Sequence, residues 1–257
     1  QALGAQAPTN LRSPYQSFLE GNDWLQWALD ERPEVLSFHF GLPSAEAINQ
    51  LKAAGILLLG CATRVSEAQA IVDAQLDGVI VQGVEAGGHR GCFNPAQGDS
   101  ALTTADLLGL CRQRFDLPLI AAGGIMTGAD WRAMEQRGAS AVQLGTAFIA
   151  CPESAASVAY RHALQTAECT AITSSISGRA ARGLHNGFHE LIDHPNAPAR
   201  PDYPTCYDAG KALAAAASAQ GNSAFNAFWA GTGFKQQRGE MPAAEVVTQL
   251  VAEYQSA

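Results

Sequence analysis

Gly78-Val-Ile-Val-Gln82 runs directly into Gly83-Val-Glu-Ala-Gly-Gly-His-Arg-Gly91, so that a glycine-rich polar segment follows an apolar run. The apolar run is short and has no polar alternation, which is typical of a strand buried on both faces of a parallel sheet. Apolar runs at residues 118–122 and 141–145 are likewise followed by glycine or hydroxyl residues. Polar or glycine-rich segments just after the strands are typical of (β/α)8 barrel enzymes, which place their sites there. An open doubly wound sheet obeys a similar rule, so the pattern favours the barrel and leaves the open sheet as an alternative.

Two further apolar runs, at residues 35–40 and 56–60, bring the predicted strands to five, with helical patterns between them. This alternation predicts parallel βα units. A (β/α)8 TIM barrel needs eight strands, so we expect residues 1–154 to form a partial barrel that lacks the first three βα units. Residues 155–257 contain several helical patterns and are predicted to form a helical C-terminal extension that packs on the barrel.

Composition limits the classes of partner. The net charge of -8 makes nucleic acid a poor candidate, because proteins that bind polyanions usually carry a basic surface. No stretch approaches the roughly 18 apolar residues of a membrane span, and the start of the chain has no signal-peptide pattern. The six cysteines form no CxxC pair, which predicts free thiols and no metal site. We therefore expect a cytoplasmic protein with no metal, nucleic acid or membrane partner.

Glycine and hydroxyl residues follow the last two predicted strands. Gly123 and Gly124 allow backbone N–H groups to approach an anion closely. Gly145 and Thr146 stand at a helix start, which also favours an anion. A single Gly-Gly turn is more often a packing feature. The loops after the last two strands of a barrel, however, form its usual phosphate site, so these four residues together predict phosphate binding.

One histidine lies in the glycine-rich segment after the strand at residues 78–82. His89 is surrounded by glycines at the predicted active face, and histidine is the natural acid–base group near neutral pH. We interpret His89 as catalytic, against the alternative of a surface histidine on a turn. Glu85 is expected to orient either the loop or the imidazole. For Arg90 two expectations stand, namely binding of an anionic substrate or exposure to solvent.

Together these segments resemble the nitronate monooxygenase family, formerly called 2-nitropropane dioxygenases. The histidine loop and the Gly-Gly turn alone also occur in the related flavin-dependent enoyl-acyl-carrier-protein reductases. The resemblance covers nearly the whole chain and is carried by Gly83-Val-Glu-Ala-Gly-Gly-His-Arg-Gly91, Ala121-Ala-Gly-Gly-Ile125, Gln143-Leu-Gly-Thr-Ala-Phe148, Pro152-Glu-Ser154, Phe38-His-Phe-Gly-Leu-Pro43, Ser177-Gly-Arg-Ala-Ala-Arg-Gly183 and Trp229-Ala-Gly231.

The resemblance implies a barrel that binds FMN non-covalently. The phosphate of FMN would lie on the residues that match the family's phosphate loops, namely Gly123, Gly124, Gly145 and Thr146. Gln82 matches a strand-end position close to the flavin, and His89 matches the active-site histidine near the flavin ring. Gly88 and Glu85 are predicted to bind the substrate.

The implied substrate is an alkyl nitronate such as propionate 3-nitronate, which FMN and dioxygen convert to a carbonyl compound and nitrite. For neutral nitroalkanes the histidine would act as a base. The expected partners are therefore the nitronate and dioxygen, and a homodimer is one expected assembly. Two alternatives stay open: a flavin-dependent enoyl-acyl-carrier-protein reductase that uses NAD(P)H, and a truncated, non-catalytic remnant that binds FMN, another phosphate compound or nothing.

Overall fold

The computed structural model describes Gly4, Gln6, residues 9–192, Asn196 and residues 199–257. Within these residues the chain forms eight short strands: β1 Val35–Phe38, β2 Leu57–Ala62, β3 Gly78–Gln82, β4 Gly88–His89, β5 Leu119–Ala122, β6 Ala141–Gln143, β7 Thr170–Thr173 and β8 Ala181–Leu184. The α-helices of the same residues are α1 Asp23–Glu31, α2 Ala45–Ala53, α3 Val65–Asp73, α4 Thr104–Arg112, α5 Gly128–Gln136, α6 Val158–Thr166, α7 Thr205–Ser218 and α8 Ala243–Ser256.

The chain forms two compact units, each built from several stretches of sequence. The sheet unit comprises Ser17–Ala86, Arg90–Leu144 and Ala244–Ala257. The hairpin unit comprises Gln1–Gln16, Gly87–His89 and Gly145–Ala243. The predicted domain boundary after residue 154 lies inside the hairpin unit, because the last stretch of that unit runs from Gly145 to Ala243.

The sheet unit contains a five-stranded parallel sheet in the order β1-β2-β3-β5-β6. Each strand pairs with the one before it in this series, as in a barrel, whereas the strand order of a doubly wound sheet reverses at its switch point. The sequence-based prediction of parallel βα units is thus confirmed for all five strands. β3 lies in the centre and is buried at every residue, which explains its continuous apolar run.

Helices pack on this sheet through apolar side chains that lie fully inside. Leu58, Ile71, Leu107 and Leu119 each have no exposed surface and belong to one core cluster. Burying a leucine or isoleucine side chain contributes about 1.5–3 kcal/mol. The helix starts are fixed by hydroxyl caps. Thr127, for example, accepts a hydrogen bond from Asp130 N in a capping box that starts α5.

The hairpin unit contains a three-stranded antiparallel sheet in the order β4-β8-β7. β8 pairs with β7 along four residues and with β4 through His89 opposite Ala181. A separate core cluster includes Leu184, Phe228 and Phe234. The sequence analysis predicts helices for this region but none of these strands. Sequence patterns miss these strands because they are short: β7 and β8 have four residues each, and β4 has two. In addition, β4 pairs with β8, which is far from it in the sequence.

The glycine at the first position of α5 packs against α8 within the sheet unit. A methyl group on Gly128 would overlap backbone atoms of Leu250 and Tyr254. We expect Gly128→Ala to lower the free energy of unfolding by about 1–3 kcal/mol, because α8 would have to shift. Chemical denaturation followed by circular dichroism measures this change.

The matched control is Gly109→Ala inside α4, where the added methyl group meets nothing within 4 Å. Alanine has the better helix propensity, so this variant should be more stable by up to about 1 kcal/mol. Equal effects of the two substitutions would contradict the described packing of α8 on α5.

Candidate active site

The predicted flavin-side residue Gln82 is the last residue of β3 and is buried. Its side-chain oxygen Oε1 accepts a hydrogen bond from Gly91 N at 2.8 Å and another from Arg90 Nη1 at 3.0 Å. Because both donors approach the same oxygen, they fix the orientation of the amide group. The structure thus ties the end of β3 to the far end of the glycine-rich loop.

Arg90 is an internal cation with 1% of its surface exposed. Its Nε donates to Asp99 Oδ2 at 2.6 Å, and its Nη1 donates to Gly83 O at 2.6 Å. Burial of Asp99 raises the pKa of its carboxyl group, but hydrogen bonds from Arg90 and from Ala101 N, together with the charge of Arg90, hold this pKa below its usual value. The expected exposure of Arg90 to solvent is therefore wrong, and its binding of an anionic substrate stays a prediction. Its guanidinium group already donates hydrogen bonds to Asp99 and to Gly83 O.

Glu85 directs a carboxylate oxygen to the start of α4. Its Oε2 accepts a hydrogen bond from Thr104 N at 3.0 Å and lies 3.1 Å from Thr104 Oγ1. A carboxylate at this place also interacts favourably with the helix dipole. From the sequence, Glu85 is expected to orient either the loop or the imidazole of His89. The structure shows its carboxylate hydrogen-bonded to the backbone of Thr104, just after the loop. Its role in binding substrate stays a prediction.

The paired glycines after β5 adopt left-handed backbone conformations, with φ of +116° at Gly123 and +74° at Gly124. Residues other than glycine rarely adopt such backbone angles. The first N–H groups around the start of α5 are taken by the protein itself, since Met126 N and Thr127 N donate to Asp130 and Gly128 N donates to Glu253. An anion at this turn would therefore contact the peptide groups of the two glycines and not the N–H groups at the start of α5.

Gly145 and Thr146 begin a short 3-10 helix, Thr146–Phe148, in the hairpin unit. A methyl group placed on Gly145 would meet nothing within 4 Å, so open space lies beside this residue. Thr146 Oγ1 accepts a hydrogen bond from Gly231 N at 2.9 Å. Its hydroxyl group also carries a hydrogen, which can be donated to a phosphate oxygen.

Gly88 and His89 form β4, and the backbone at Gly88 again requires glycine, with φ of +79°. His89 Nε2 lies 2.9 Å from Oγ of the fully buried Ser177. Burial, and secondly the charge of Arg179, lower the pKa of His89 to about 4. The imidazole is therefore neutral at pH 7 and able to accept a proton.

Aromatic rings surround the imidazole. The ring centroids of Tyr203, Trp229 and Tyr207 lie 5.1, 5.4 and 6.0 Å from that of His89. Trp229 Nε1 donates to Tyr207 Oη at 3.2 Å, which joins two of these rings. Sequence reasoning missed all three side chains and Ser177. The only signal was that Ser177 and Trp229 fall in segments that carry the family resemblance.

Known proteins are similar to this chain along nearly its whole length. The family model described as nitronate monooxygenase matches residues 10–253. The chain is 50% identical over 253 residues to a nitronate monooxygenase of Pseudomonas aeruginosa, covering 98% of this chain and 72% of that protein. It is 47% identical over 255 residues to one of Paraburkholderia phytofirmans, covering 98% and 69% respectively.

Two solved structures are also similar to this chain. Nitroalkane oxidase from Streptomyces ansochromogenes matches with a TM-score of 0.85 and 38% identity, covering 96% of this chain and 72% of that chain. FabK from Thermotoga maritima matches with a TM-score of 0.74 and 26% identity, covering 91% and 72%. Both are TIM barrels, which confirms the predicted fold class. Among the described residues no helix is long and apolar enough to cross a membrane.

The depressed pKa of His89 can be measured by an NMR titration of the imidazole. We expect a midpoint near pH 4, against the ordinary value of 6.5. Because the folded state binds this proton less tightly, the unfolded chain holds more protons between these two values. The contribution of His89 to stability is therefore complete above pH 6.5 and is lost as the pH falls toward 4.

A His89→Asn variant cannot titrate at this position and serves as the reference. Stability should fall less steeply with pH in the variant than in the wild type across this window. His39, whose pKa burial also lowers, contributes equally to both proteins. A midpoint near 6.5 for His89 would contradict the burial described for it.

Proposed function

The chain belongs to the nitronate monooxygenase family, and from this premise we propose that it binds FMN and oxidises alkyl nitronates with dioxygen. The products would be a carbonyl compound and nitrite, and propionate 3-nitronate is the proposed example of a substrate. The family is one of flavin-dependent oxidoreductases. The observation that carries the proposal is the neutral, half-buried His89, which lies beside Ser177 and among three aromatic rings.

The residues proposed to hold FMN fit a phosphate monoester. Gly123 and Gly124 present peptide groups in left-handed conformations, open space lies beside Gly145, and Thr146 has a hydroxyl hydrogen to donate. Gln82, at the end of β3, offers a fixed amide group for the polar edge of a flavin. Bound FMN would supply the redox chemistry, while the protein supplies position and electrostatics.

The hydrogen bonds around Ser177 support one tautomer of His89. We propose that Ser177 Oγ donates its hydrogen to Arg179 O, 3.1 Å away, while Arg179 N donates to the same Oγ at 3.3 Å. Oγ then acts as an acceptor toward His89, so the imidazole carries its hydrogen on Nε2. Nδ1 is therefore the nitrogen that can accept a proton.

The possible substrates fall into two classes, according to whether their oxidation needs a base. A neutral nitroalkane must lose a proton from carbon, and Nδ1 of His89 would take it. A nitronate is already an anion and needs no base. The half-buried rings of Tyr203, Tyr207 and Trp229 lie around the imidazole and would offer apolar surface to an alkyl chain.

The function can be tested with the 257-residue chain, added FMN and propionate 3-nitronate. We expect a visible spectrum of bound flavin, uptake of dioxygen and release of nitrite. Rapid bleaching of the flavin by NADPH without nitrite release would favour the enoyl-acyl-carrier-protein reductase. A folded sample that takes up no FMN would contradict the proposal and favour the non-catalytic alternative.

The His89→Asn variant sharpens this test, because it removes the base and keeps a polar side chain. Turnover of a neutral nitroalkane should fall by about 10²–10⁴-fold, with a smaller loss on the nitronate and FMN still bound. Equal losses on both substrates would show that His89 does not act as a base.

Gly145→Ala tests the phosphate assignment. The alanine is compatible with the φ of -118° at this position and its methyl group enters open space, so the melting temperature without FMN should not change. Affinity for FMN should fall by about tenfold or more if the phosphate uses this space, as measured by quenching of flavin fluorescence. Gly109→Ala is the control with the same chemical change, and unchanged affinity in Gly145→Ala would place the phosphate elsewhere.

A further inference from the structure

Three segments of the sheet unit meet at one buried hydroxyl group, that of Thr104 in the first position of α4. Its Oγ1 lies 2.9 Å from Gly123 O and 3.2 Å from Ala122 O, at the end of β5. The same oxygen lies 3.1 Å from Glu85 Oε2, in the loop after β3. Thr104 itself has 3% of its surface exposed.

The backbone packs closely around this hydroxyl group. A methyl group on Gly123 would lie 2.8 Å from Ala86 N and 3.0 Å from Thr104 Oγ1. One on Gly83 would overlap both the side chain and the nitrogen of Thr104. The two glycines are therefore needed for the loop after β3, the start of α4 and the turn after β5 to come together.

The hydrogen of Thr104 can be donated to one acceptor at a time, and Gly123 O is the nearest. Glu85 holds the residue from the other side, since it accepts a hydrogen bond from Thr104 N at 3.0 Å. A trans peptide unit is planar, with its C=O and N–H pointing in opposite directions. Fixing the carbonyl of Gly123 toward Thr104 therefore directs the N–H of Gly124 away from Thr104.

We propose that Thr104 is a positioning residue for the phosphate-binding turn, and that Glu85 serves this turn by holding Thr104. The inference rests on the proposed binding of FMN. The ligand concerned is the phosphate monoester of FMN, which the N–H of Gly124 would meet in a direction set by the hydroxyl group. This gives Glu85 a different role from the substrate binding that its sequence position predicts.

Thr104→Val removes the hydroxyl group at nearly constant shape, and Thr104→Ser retains it. We expect the valine variant to bind FMN about tenfold more weakly than the wild type, and the serine variant to restore most of the affinity. Riboflavin lacks the phosphate, so its affinity should be equal in all three proteins. Fluorescence quenching measures both ligands. If the valine variant does not fold, Thr104→Ala removes the hydroxyl without added bulk and is judged in the same way.

The outcomes separate the two proposals. Wild-type protein that binds no FMN would overturn the proposed function and this inference with it. Wild-type binding with equal FMN affinity in the valine variant would overturn the inference alone, as would equal losses for FMN and riboflavin. Glu85→Ala removes the acceptor for Thr104 N, so it should weaken binding of FMN and leave the affinity for riboflavin unchanged, and equal losses for the two ligands would separate Glu85 from the phosphate turn.

Discussion

The parallel hydrogen bonding of β3 to β5, and of β5 to β6, is the constraint on which the other features of the sheet unit depend. Gln82 stands opposite Ala122, and Ala122 stands opposite Gln143, so three successive strands end level with one another. All the segments that follow these strands therefore begin at one edge of the sheet. A parallel sheet concentrates its strand-end loops in this way without any further requirement on their sequence.

Most charged side chains at this edge form ion pairs or hydrogen bonds with the loops themselves. Asp99 neutralises Arg90, while Glu85 and Asp130 accept hydrogen bonds from backbone N–H groups at the starts of α4 and α5. Glu67, also buried, accepts hydrogen bonds from Thr63 and from Phe93 N. A buried charge without partners would cost several kcal/mol. These pairings give the charged groups in the loops of the sheet unit partners within the protein itself.

The sequence predicts the five parallel strands well because each is a local apolar run whose neighbours along the chain are also its neighbours in the sheet. β3 has the predicted bounds, Gly78–Gln82. Contacts over long sequence separations leave no such trace. Ser177 is 88 residues from His89, and neither residue alone indicates the other. Arg90 shows a different limit, because its burial depends on a carboxylate at Asp99 that lies in an otherwise unremarkable loop.

The environment of His89 has a consequence for anionic ligands. Burial and the charge of Arg179 both favour the neutral imidazole, and together they move its pKa to about 4. A negative charge brought close to the ring acts in the opposite direction and raises this pKa, because it stabilises the protonated form. The same charge is attracted by Arg179. A nitronate bound as proposed would therefore shift the protonation equilibrium of His89 toward the charged form, whereas a neutral nitroalkane would leave the imidazole neutral and able to act as a base.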